Sequence, residues 1–259
     1  ISDYAPFGAC YAKVTPAQVQ NYRMVIVEPD FYTKQEFEAL KSTGTKIIAY
    51  STLGEIDANR WYYPILKKEG FLGINENWNS AFINLEKKKV RDFILQKILP
   101  EIMHKGADGL FLDTIDAVSP ETERGYLAPY MAELIREIRS QYPDKIIIQN
   151  AGLFLLEETK GVIDAFLTED LASNYDFKKN EYSVRPVDEF KERLSYLDEY
   201  AEKAARPFFI IDFADTEVKR NHLKSRLGTL GRPYFISNIE LSELPVNANS
   251  VSNSLRKQK

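Results

Sequence analysis

Eight short apolar, β-rich runs recur along the 259 residues, and a segment of helical periodicity follows most of them. The runs are residues 7–11, 24–27, 46–50, 108–113, 145–150, 165–170, 207–212 and 233–238. Runs this short, apolar throughout and bounded by turn residues, read as strands of a parallel sheet covered on both faces. The intervening helices fall at about 33–43, 89–105, 126–141, 187–205 and 217–227, with short ones after Thr15-Pro16 and before Ala165. Thr33 is placed to cap its helix and Gly44 to end it. Eight strands alternating with helices predict one α/β domain, a (β/α)8 TIM barrel, rather than a doubly wound open sheet. Its core should span about 6–240. The polar tail 241–259 shows no convincing closing helix, so the last helix is expected to be incomplete and the tail loosely packed or frayed.

Composition removes several functions. The net charge is −4, whereas nucleic-acid-binding domains carry a basic face. No apolar run reaches the roughly 20 residues a bilayer demands. The chain begins at Ile1 without a signal-peptide pattern, which fits a processed or trimmed chain, so these residues carry no information on export. Cys10 is the only cysteine, which rules out an internal disulfide. His104 and His222, the only histidines, both fall in surface helices, so a Ser-His-Asp triad or multi-His metal site is hard to build. There is no phosphate-cradling glycine loop, and no cofactor is expected. In an enzyme of this composition carboxylates and tyrosines must move the protons.

In a barrel the carboxyl ends of the strands converge on one face. Here they bring Tyr11, Glu28, Asp30, Tyr50, Glu55, Asp57, Asp113, Asp116, Asn150, Glu169, Asp170, Asp212, Asp215, Asn238 and Glu240. Asp and Asn are common at such ends because they cap helices, and Asp30, Asp57, Asp116, Asp170, Asp215 and Glu240 fit capping or loop roles. Asp113 and Glu169 differ. Each directly follows an apolar or β-branched run, and neither immediately precedes an obvious helix. Two partly desolvated carboxylates across a barrel mouth titrate apart and supply an acid and a base or nucleophile, the equipment of a glycosidase. The excursion 58–84, read as a long loop, carries Trp61 and Trp78, as sugar-stacking faces or plain packing. A competing reading has Asp113 and Asp116 hold Mg²⁺ with help from Glu28 or Asp212, in a lyase or aldolase. Cys10 as a nucleophile lacks a histidine to activate it.

The runs 25–30, 47–55, 106–116, 147–150 and 167–169, in that order, resemble glycoside hydrolase family 114, the endo-α-1,4-polygalactosaminidase-like proteins. The likeness covers roughly 7–238. It implies a TIM barrel that cleaves α-1,4-linked galactosamine or N-acetylgalactosamine polysaccharide. It implies Asp113 as nucleophile and Glu169 as acid/base of a retaining, endo-acting enzyme. Glu28, Asp30, Tyr50, Glu55, Asn150 and Asp212 would line the cleft, and the protein would be secreted or extracytoplasmic. The residues add that a carboxylate-rich mouth attracts a cationic amino sugar. A monomer is expected. The alternative is a carbohydrate-binding barrel without catalysis.

Overall fold

The eight runs form eight parallel strands in the computed structural model, which describes residues 4–253. They are β1 (Phe7–Cys10), β2 (Met24–Val27), β3 (Lys46–Thr52), β4 (Gly109–Asp113), β5 (Ile146–Asn150), β6 (Ala165–Glu169), β7 (Phe208–Phe213) and β8 (Tyr234–Ser237). Each hydrogen-bonds to the next in chain order, giving one eight-stranded parallel sheet. This is the TIM-barrel order, with helices between strands. The seam between β1 and β8 is closed by side chains. Phe7 packs edge-on against Phe209 with centroids 5.0 Å apart and lies 6.1 Å from Phe235.

The helices are short where their sequences carry breakers. Lys34–Lys41 is capped by Thr33, whose hydroxyl accepts from the Glu36 N–H. The helix expected at 89–105 is Lys88–Phe93, a π-helical turn Ile94–Ile98, and Leu99–His104. The π turn falls just before Pro100, whose missing N–H interrupts the regular ladder. Ala128–Gln141, Val187–Ala204 and Glu217–Leu227 match their expected spans closely. None of the helices among the described residues is long and apolar enough to cross a membrane.

Two expectations need correction, and one element was not anticipated. The excursion 58–84 is not a loop. With Glu55–Asp57 it forms a three-stranded antiparallel insert, Glu55–Asp57 and Phe71–Asn75 flanking Ser80–Ile83, plus the helix Tyr63–Lys67. A second addition follows β6, the hairpin Ser173–Asp176 with Glu181–Val184. The tail, as far as residue 253, does not fray. Leu241, Leu244, Ala248 and Val251 are buried, so a segment polar on average still supplies an apolar face. The Tyr11 N–H donates to the Leu241 carbonyl at 2.7 Å, and the Tyr22 hydroxyl to the Pro245 carbonyl at 2.7 Å. Ser252 bridges to Phe235. The tail thus lies over the β1–β8 seam in place of a closing helix. Gly8 makes room for it, since a Cβ there would stand 2.6 Å from Leu244 Cδ1. The last six residues of the expected tail, 254–259, lie outside the described residues. Leu244→Ala should cost about 2–5 kcal/mol of unfolding free energy in urea titration. An unchanged midpoint would mean that the tail contributes nothing to the seam.

Candidate active site

Strand side chains alternate between faces, so the residue two places beyond a buried inward residue also points inward. That rule places Tyr11 above Ala9, Glu28 above Ile26 and Tyr50 above Ile48. It likewise places Asp113 above Phe111, Asn150 above Ile148 and Glu169 above Leu167, each lower residue being buried. The six upper residues line one cleft of about 620 Å³ at the carboxyl ends of the strands. Glu55, Asp57, Asp116, Asp170, Glu240 and Trp78 line it too.

At its centre, Asn150 holds the two candidate carboxylates. Its Nδ2 donates to Asp113 Oδ1 at 2.7 Å and to Glu169 Oε1 at 3.0 Å. The two oxygens therefore lie no further apart than those bonds laid end to end. The N–H bonds of one amide diverge by about 120°, which places the oxygens roughly 5 Å apart. Asn150 is only 6% exposed, and its Oδ1 has no partner among the described residues. Flipping the amide would set an acceptor against two carboxylates, so both N–H groups are committed to them.

Burial, then the charge of Asp113, pushes the Glu169 carboxyl up to about 8. Burial and then Asp113 also raise the Tyr11 and Tyr50 hydroxyls well above their ordinary value. Asp116 is open to the water of the cleft. Yet the enclosing walls, then Asp113 and Glu55, push its carboxyl up to about 6. Glu55 is raised by burial, although it accepts from Asn75 Nδ2 at 3.1 Å and from the Ser80 hydroxyl.

Four expected site residues stand differently from the rest. Phe213 takes the inward place on β7, so Asp212 faces the other way and is 0% exposed. There it accepts from the N–H groups of Ala172 and Ser173 at 3.0 and 2.7 Å and from the Ser173 hydroxyl. Asp212 thus pins the chain just beyond Glu169. Glu28 reaches the cleft, but both its oxygens accept from Arg60 at 2.6 Å. Asp30 stands outside the lining and binds the same guanidinium at 2.9 Å. Trp61 is also outside it, packed edge-on against Tyr62 and Phe93, whereas Trp78 lines the cleft with its edge on Phe177. Among the described residues no three His, Cys, Asp or Glu side chains are grouped as metal ligands. With Glu28 held by Arg60 and Asp212 turned away, the oxygen set of the Mg²⁺ reading is not assembled. Cys10 is buried, which raises its thiol pKa.

Sequence reasoning missed the residues that hold the site. Thr114, Ala151 and Asp170, each directly after a central residue, all adopt left-handed backbone, with φ of 60°, 53° and 52°. Such conformations cost non-glycine residues about 1–3 kcal/mol each and persist where neighbours over-determine them. The Thr114 hydroxyl accepts from the Gly54 and Glu55 N–H groups at 2.8 and 3.1 Å. Gly54 is required for that approach, because a Cβ would stand 2.3 Å from the Thr114 carbonyl. Gln149 donates to the carbonyls of Ala151 and Gly152, both at 3.0 Å. Arg185 and Arg193 clamp the Asp170 carboxylate at 2.9 and 2.6 Å.

The raised Glu169 carboxyl has a consequence for stability. Its folded pKa lies above the unfolded value of about 4.3, so the stability it contributes is present at acid pH and lost as pH rises towards about 8. Glu169→Gln should therefore raise the melting temperature at neutral pH, with the gain vanishing near pH 4. A gain that did not change with pH would contradict this.

The sequence family described as glycoside-hydrolase family GH114 matches residues 6–252. An uncharacterised protein of Methanocaldococcus jannaschii is 28% identical over 76% of this chain, which spans 60% of that relative's length. The glycoside hydrolase domain of PelA from Pseudomonas aeruginosa superposes with TM-score 0.82 at 24% identity, covering 93% of this chain and 97% of that one. Ega3 of Aspergillus fumigatus, solved in complex with galactosamine, gives TM-score 0.69 at 15% identity, covering 91% and 90%. At these identities the two structures share the fold.

Proposed function

The chain belongs to glycoside-hydrolase family GH114, and from that premise we propose a retaining, endo-acting hydrolase of α-1,4-linked galactosamine or N-acetylgalactosamine polysaccharide. The observation that carries this reading is the Asn150 bridge. It sets two carboxylate oxygens roughly 5 Å apart, where retaining enzymes hold their pair at about 5–5.5 Å and inverting ones at about 6.5–9.5 Å. In this mechanism Asp113 attacks the anomeric carbon while Glu169 protonates the departing glycosidic oxygen. Glu169, now ionised, takes a proton from water, which displaces Asp113 and frees the second product. The Asn150 N–H groups hold both carboxylates in register through the two steps. The balance closes without a cofactor.

The electrostatics favour a cationic sugar. Eight acidic side chains and two arginines line the cleft. Arg60 is committed to Glu28 and Asp30, and Arg193 to Asp170. Glu55, Asp57, Asp113, Asp116 and Glu240 have no ion-pair partner among the described residues, and Glu169 keeps its proton near neutrality. Such a field concentrates amino sugars and is screened by salt. The galactosamine bound by Ega3 supports the same substrate class, and a polysaccharide substrate supports an extracytoplasmic site of action.

Reducing-end release from polygalactosamine tests the reading. Glu169→Gln should lower kcat/KM by about 10²–10⁴-fold and Asp113→Asn at least as much. Variants that match wild type, or a wild type that releases nothing, would leave only the carbohydrate-binding reading. The acid must be protonated in the free enzyme, so kcat/KM should fall as pH rises through about 8. A profile still rising there would remove Glu169 as the acid. Activity should also survive EDTA.

A further inference from the structure

A second hollow of about 380 Å³ adjoins the cleft and shares two of its walls, Tyr11 and Glu240. Its outer wall is Phe31, at the end of the turn Pro29–Phe31. Phe31 is 52% exposed. A single exposed aromatic is ordinary on a protein surface. Phe31 is different in its neighbours. The Tyr11 ring packs edge-on against Tyr50 at 4.8 Å, and Tyr50 lies beside Asp113, whose charge raises its hydroxyl. Two packed aromatic rings therefore lead from the candidate nucleophile to the wall of the hollow that Phe31 also lines.

The opposite end of the cleft is built otherwise. Trp78, in the turn between Phe71–Asn75 and Ser80–Ile83, meets Phe177, in the turn of the hairpin after β6, with ring centroids 5.0 Å apart. The two additions to the barrel touch there, at the rim of the cleft. The hairpin also reaches the residue before Glu240, where the Tyr182 hydroxyl accepts from the Ile239 N–H at 3.0 Å. Phe31 makes no ring contact with either addition among the described residues. Two charged side chains line the hollow: Lys13 is ion-paired with Glu36, which leaves Glu240 as the uncommitted charge. An apolar ring beside a free carboxylate suits an amino-sugar pyranose, which has an apolar C–H face and a polar, cationic edge.

We infer that the hollow at Phe31 is an additional glycan subsite. It holds a unit of the same α-1,4-galactosamine chain, beyond the units that flank the scissile bond. Phe31 packs against the sugar face and Glu240 accepts from its amine or hydroxyls. The inference rests on the substrate class proposed above and adds a direction: the chain extends from the catalytic pair past Tyr11, away from the Trp78–Phe177 contact.

Calorimetric titration of α-1,4-galactosamine oligosaccharides of increasing length into the Glu169→Gln protein tests it. Affinity should step up once the oligosaccharide is long enough to reach Phe31. Adding Phe31→Ala should abolish that step, weakening the long oligosaccharides about three- to tenfold, and Phe31→Tyr should restore it. A step that persists in Phe31→Ala, with cleavage by wild type intact, overturns the subsite and leaves the hydrolase reading standing. If wild type neither binds nor cuts any of these oligosaccharides, both readings fall.

Discussion

One side-chain amide governs the geometry of the site. Asn150 donates to Asp113 and to Glu169 together, so two groups that repel each other are held at a set separation. Burial penalises the ionised form, and like charges at that distance cannot both ionise freely. The result is a carboxyl at Glu169 that keeps its proton near neutrality, beside a partner facing the same cavity. The acid and nucleophile roles proposed for them thus rest on two residues of the same chemical type, distinguished by surroundings.

Keeping that arrangement has a conformational cost that the barrel absorbs. The chain turns left-handed directly after Asp113, Asn150 and Glu169, at Thr114, Ala151 and Asp170. Each turn has its own fastening. The Thr114 hydroxyl gathers N–H groups from the end of β3 and the start of the insert. Gln149 ties the Ala151 turn, and two arginines and the outward-facing Asp212 hold the chain beyond Glu169. Elevated carboxyl pKa values at Glu169, Asp116 and Asp212 likewise cost stability at neutral pH. The strong parallel sheet beneath offsets both.

Much of this was legible in the residues. All eight strands were, because an apolar run buried on both faces announces itself without a partner. Asp113 and Glu169 were, because each ends such a run where packing alone gives no reason for a carboxylate. Asp212 ends a run too, and only strand parity separates it: Phe213 takes the inward place. Parity is fixed by where the strand begins in the barrel, which a single sequence does not state. The insert was read as a loop because its strands are short, and β-propensity depends on neighbours. Arg60 escaped notice because its partners, Glu28 and Asp30, lie some thirty residues away. Trp61 and Trp78 look alike in sequence, and the insert alone decides which one faces the cleft.

The central claim is that Asp113 and Glu169 work at close range through a glycosyl-enzyme. The anomeric configuration of the first product, followed by proton NMR before mutarotation, tests it most directly. Two successive displacements turn an α-linked substrate into the α-anomer as first product. The β-anomer as first product would show single displacement by water and contradict the role given to Asp113.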